Sequence, residues 1–209
     1  MFKFSGHGLS HGHFDRLGIA IHDNGREVLQ DYGLVRFVNI EQKGGGNYLP
    51  ENKSWAKQTV ASNTLVVDGQ SQFDGDYDAS SRHHSELVFS DIGNDAIQIV
   101  SAQEVNAYEA TVVQRTVALV RSPQNNVVVV DLVRAESDGA HTYDLPFHYL
   151  GQVIHTNFSP ISDDQRRALG TDDGYEHLWL EAVGKPTDSS AKFTWLDGGR
   201  FNTITTAAE

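Results

Sequence analysis

The 209 residues carry 16 Lys and Arg against 28 Asp and Glu, a formal charge of −12, with 39% hydrophobic and 10% aromatic residues. That apolar content supplies a packed core and excludes disorder over most of the length. The acidic balance lacks the basic footprint of a nucleic-acid binder. Cys is absent, which removes disulfides and cysteine-ligated zinc, and no apolar run approaches the ~20 residues of a membrane-spanning helix.

Residues 1–8 contain no apolar signal-peptide core, and residues 1–4 enter directly into a strand-like run. Residues 16–22 alternate, and Asp23-Asn24-Gly25 turns the chain into a second strand at 27–31. Residues 39–57 form a long irregular segment without alternation, a pattern uncommon unless the loop has a task. Strands are expected at 60–67, closed by Asp68-Gly69, and then at 86–90, 97–105 and 111–121. Residues 123–126 turn into the apolar run 127–133, which reads as a strand buried on both faces. Strands at 145–154, 177–183, 192–196 and 201–205 complete the set, the last two joined by Asp197-Gly198-Gly199. Helical periodicity is confined to residues 163–169. The pattern predicts an all-β fold, a multi-sheet antiparallel β-sandwich, forming a single domain over 1–209.

Four constellations carry candidate chemistry. In Ser10-His11-Gly12-His13-Phe14-Asp15, two His one residue apart point the same way on an extended backbone. With the carboxylate they suit either a zinc-type site or substrate binding with proton transfer, the alternative being exposed loop imidazoles. Asp31, in Gln30-Asp31-Tyr32-Gly33, is a candidate metal ligand, and Arg36 a bidentate partner for a sugar carboxylate; a surface ion pair is the competing reading. The run Lys43-Gly44-Gly45-Gly46-Asn47-Tyr48 lacks the helix start and Lys-Ser/Thr of a phosphate loop. Tyr48, flanked by Lys43, Lys53 and Lys57, is instead a candidate proton donor, because neighbouring cations lower a phenol's pKa. Arg82-His83-His84 is the fourth, and a structural role is favoured for it because adjacent strand residues face opposite ways.

The stretch from Ser10-His11-Gly12-His13 through Gln30-Asp31-Tyr32-Gly33 to Gly44-Gly45-Gly46 and Tyr48-Leu49-Pro50-Glu51-Asn52-Lys53 resembles the heparinase II/III-like domain. More narrowly it is similar to the oligoalginate lyases of polysaccharide lyase family seventeen, and Tyr143-Asp144-Leu145-Pro146-Phe147 and Gly151-Gln152-Val153 extend the likeness. The resemblance implies a C-terminal β-sandwich that works with an N-terminal (α/α) toroid. The chain then reads as a piece lacking that toroid and the last C-terminal strands. It implies exo-acting β-elimination on alginate oligosaccharides in the periplasm or outside the cell, and a homodimer as a compatible assembly. Tyr48 corresponds to the family's acid, Arg36 and His11 to substrate-binding groups, and Lys43 is assigned to substrate binding with them. His13 and Asp31 correspond to two ligands of a structural zinc, whose third ligand position holds Ser62, a poor donor for zinc. A non-catalytic carbohydrate-binding or structural β domain is the rival reading. A lyase for sulfated glycosaminoglycans would call for more Arg and Lys around the cleft than this sequence offers.

Overall fold

The computed structural model describes residues 1–6, 11–33, 49–124 and 126–208. Strands β1 (Phe2–Lys3) and β2 (Gly18–Ile19) pair antiparallel. Strands β3 (Ile21–Asp23) and β4 (Arg26–Leu29) form the hairpin that Asn24-Gly25 predicts. Both turn residues take positive φ, 49° and 75°, the double left-handed turn whose twist matches the flanking strands. Leu17, at φ 60°, sits in a turn that delays the expected strand 16–22 to Gly18, and Ala20 separates β2 from β3.

Residues 60–67 do not form the single strand that their β-branched content suggests. Thr59–Ala61 is a 3₁₀ turn, and only β5 (Val66–Val67) pairs. The reason lies in Asn63 and Thr64, whose buried side chains take partners that a ladder would have supplied. Thr64 Oγ1 donates to the Arg16 carbonyl at 2.6 Å, and Asn63 Nδ2 donates to those of Ile19 and Gln30 at 2.9 and 2.8 Å.

Helix α1 (Tyr77–Ser81) is one short turn, capped by the Asp76 carboxylate, which accepts from the Asp78 and Ala79 amides at 2.7 and 2.9 Å. It leads into β6 (Glu86–Asn94), β7 (Ile97–Tyr108), β8 (Thr111–Arg121) and β9 (Val127–Ser137), an antiparallel four-stranded sheet in sequential order. Strand β10 (Tyr143–Asp144) pairs with β5. Strand β11 (Gln152–Thr156) joins a second sheet, while β12 (Ile161–Ser162) and β13 (Ala182–Val183) pair together. Strands β14 (Ala191–Asp197) and β15 (Arg200–Thr206) complete the second sheet in the order β11-β14-β15.

Residues 17–29 and 63–67 lie between the two larger sheets. Leu17, Leu65 and Val67 pack on Ala102 and Val113 of the four-stranded sheet. Ile19 and Leu29 pack on Trp195 of the three-stranded sheet. Layering of antiparallel sheets around a shared core is the predicted sandwich. Arg115 crosses the core: its guanidinium pairs with Asp131 at 2.8 and 2.6 Å and donates to the carbonyls of Leu17 and Asn63 at 2.8 and 2.6 Å. A buried cation is tolerated only when paired and hydrogen-bonded in this way.

Three further expectations need correction. Residues 163–169 are not helical; Arg166 has φ 45° and Ala168 bridges to Trp179. Strand β9 is not buried on both faces, since Val128, Val130 and Leu132 lie on an exposed outer face with Phe89 and Ile97. The strands expected at 145–154 and 177–183 shrink to their ends, because residues 145–151 run irregularly and Tyr175–His177 is a 3₁₀ turn.

Candidate functional site

The His-Gly-His segment is fastened from two sides. Phe14 N–H donates to the Lys57 carbonyl at 3.0 Å, at the end of the π-helical turn Asn52–Ala56. The Lys3 ammonium forms an ion pair with Asp15, a buried carboxylate. Burial raises the Asp15 pKa, and Lys3 counters it. His11 faces solvent whereas His13 is buried, so the two imidazoles occupy different environments. The expectation that both point one way on an extended backbone therefore fails, since residues 11–13 form no strand.

His13 and Asp31 lie within electrostatic reach of each other. Burial lowers the His13 pKa, while the negative charges of Asp15 and Asp31 raise it in part. Asp31 Oδ1 accepts from the Gly33 amide at 3.3 Å, a local turn that Gly33 permits at φ 67°. The same carboxylate acts on a half-buried imidazole, His148, whose pKa is lowered by burial and raised in part by its bond to Val60 and by Asp31. His148 Nε2 donates to the Val60 carbonyl at 2.8 Å, and its ring meets Trp55 edge-on at 5.9 Å.

One side chain holds this arrangement together. Asn63 bonds the Gln30 carbonyl, next to Asp31, and its Oδ1 accepts from the His148 amide at 2.6 Å. Its neighbour Ser62 is buried, 3% exposed. Sequence reasoning missed Asn63 and His148 as site residues; their only signal was a polar residue inside an apolar run, and their partners lie 33 to 88 residues away.

Two buried polar atoms here, His13 Nδ1 and Ser62 Oγ, have no hydrogen-bond partner among the described residues. Orphaned atoms of this kind call for an occupant. The donor set does not fit a structural zinc. A closed zinc site uses four Cys, His or carboxylate ligands, and among the described residues no group of three or more His, Asp or Glu is arranged to hold a metal ion. A serine hydroxyl does not make up the difference.

Tyr48, Arg36 and Lys43 lie outside the described residues. Just beyond Tyr48, Leu49 and Asn52 are buried, so this end of the irregular segment is anchored in the fold. Elsewhere Ser54 Oγ lies 2.9 Å from His177 Nε2, but Glu176 faces that same nitrogen at 3.6 Å, so no carboxylate orients the ring as a nucleophile's base would require.

The described residues form a sandwich of antiparallel sheets with His13 and Asp15 buried near its first strands. The family model "Heparinase II/III-like, C-terminal" matches residues 2–208, and the chain belongs to that family. It is 46% identical to an alginate lyase of Stenotrophomonas maltophilia over 198 residues, covering 94% of the chain and 26% of that protein. It is 42% identical to an exo-oligoalginate lyase of Saccharophagus degradans over 202 residues, covering 95% of the chain and 27% of that protein. The chain thus spans about a quarter of the length of these relatives.

Proposed function

We propose that the chain is the β-sandwich part of an exo-acting oligoalginate lyase. The observation carrying this reading is identity of 46% and 42% to an alginate lyase and an exo-oligoalginate lyase across nearly the whole chain. In β-elimination a base takes the C5 proton of a uronate, the freed electron pair forms the C4–C5 double bond, and the C4–O bond breaks. The leaving oxygen must be protonated, and Tyr48 is the donor in this reading. Arg36, Lys43 and His11 bind the substrate's carboxylates and hydroxyls, Arg36 through two parallel hydrogen bonds. Neutralising the carboxylate next to C5 is required because its charge opposes carbanion formation, and donors aimed at that charge lower the barrier. The base and the neutralising pair come from an (α/α) toroid. In this reading the Asn63 carboxamide, which joins residues 19, 30 and 148, keeps the segments around the site in place.

The test is the action of a lyase containing this chain on alginate oligomers. Release of unsaturated monomer from one chain end supports the reading. Product profiles with no unsaturated uronate, or cleavage restricted to sulfated glycosaminoglycans, contradict it. Because the chain spans a quarter of its relatives, a scaffold or carbohydrate-binding role without turnover is the second reading, and binding without elimination would support it.

A further inference from the structure

Between the residues around β1 and the turn after α1 lies an open groove of about 740 Å³. Lys3, Phe4, Arg82, His83, His84 and Ser85 line it, and none of its lining residues is acidic. In a chain with 28 acidic and 16 basic residues, that gathering of cationic and imidazole groups in one concavity runs against the global field.

The groove wall is built from the interior. Buried Arg16 donates through Nη2 to the Ser80 carbonyl at 2.9 Å and to that of His83 at 3.1 Å, fixing the backbone on both sides of Arg82. The His83 ring stacks on Phe73 at 6.0 Å with an interplanar angle of 11°. Ser85 Oγ donates to buried Glu104 at 2.8 Å. Against this fixed wall Arg82 is exposed, and its guanidinium makes no hydrogen bond or ion pair among the described residues. Asp76 senses its charge only weakly, behind the two amides that its carboxylate accepts. His84 Nδ1 contacts the Ser85 carbonyl at 3.2 Å, and its Nε2 has no partner among the described residues. On the opposite wall, Lys3 ties the groove to Asp15 of the His-Gly-His segment.

We infer that this groove is a subsite for a uronate residue of the substrate, with Arg82 receiving the sugar carboxylate and His84 supplying a further donor. A planar guanidinium suits a carboxylate bidentately, and the fixed backbone beneath Arg82 leaves only its side chain to be ordered on binding. Phe4 offers an apolar surface to the sugar ring. The inference rests on the lyase reading above and extends the substrate path beyond His11 to a second carboxylate.

Titrating the isotopically labelled chain with an alginate trisaccharide, and separately with neutral cellotriose, tests it. The uronate trisaccharide should move the amide resonances of residues 3–6 and 82–85, and cellotriose should not. Arg82→Ala removes a charge-assisted pair and should weaken binding about tenfold, with Arg82→Lys intermediate. Resonance changes confined to other residues, no change at all, or equal affinity in Arg82→Ala would overturn the subsite. Turnover of alginate oligomers by the full-length lyase is read in parallel. Turnover with Arg82→Ala binding undiminished sinks the subsite alone, and groove binding without turnover sinks the lyase reading alone.

Discussion

Asn63 Nδ2 lies 2.8 Å from the Gln30 carbonyl, a contact spanning 33 residues that sets where Asp31 stands. The same carboxamide bonds Ile19 and the His148 amide, so three segments meet at one buried side chain that is 1% exposed. Removing it leaves two carbonyls and an amide short of partners. Asn63→Ala should therefore destabilise the chain by about 3 kcal/mol or more, since each buried unsatisfied group costs about 1–3 kcal/mol. Equilibrium denaturant unfolding measures this, and a loss below about 1 kcal/mol would show that water takes over the carboxamide's role.

Stability should depend on pH through His148. Its folded pKa lies below the 6.5 of a free imidazole because burial disfavours the cation. As pH falls below 6.5, the unfolded chain takes up this proton before the folded one does, so stability declines toward the lower folded pKa. His148→Gln should flatten that part of the profile. An unchanged slope in the variant would assign the dependence to other groups.

Ser62→His should supply a third strong ligand at the position where the family resemblance places one. Elemental analysis is expected to show zinc well below one per chain in the parent and close to one in the variant. The melting temperature of the variant should rise with added zinc, by mass action about 2.7 kcal/mol when free metal is 100 times Kd. Stoichiometric zinc in the unmodified chain would mean that a ligand has been overlooked.

Tyr48→Phe keeps the ring and removes only the acidic hydroxyl. In the full-length lyase it should lower kcat by about 10²–10⁴-fold with KM little changed, the usual contribution of general acid catalysis. Wild-type kcat would clear Tyr48 of the role.

The hairpin at Asn24-Gly25 was legible because few residues accept positive φ at two successive positions, and the β14–β15 turn at Gly198-Gly199, at φ 51° and 81°, was legible for the same reason. Residues 60–67 misled because β-branched residues suit a strand, while Asn63 and Thr64 spend their side chains on distant backbone. The apolar run in β9 signalled its strand correctly, but alternation cannot report whether another layer covers the outer face. His148 was invisible as a site residue: its contact to Val60 spans 88 residues, and only the fold brings them together.

The central claim is that this β-sandwich supplies part of a lyase site and an (α/α) toroid the rest. Incubating the 209-residue chain with alginate oligomers, alone and with a family toroid added in trans, measures it through the ultraviolet absorbance of the unsaturated product. The account predicts background absorbance from the chain alone and a toroid-dependent rise that Tyr48→Phe abolishes. Robust turnover by the chain alone would contradict it and place the base within these residues.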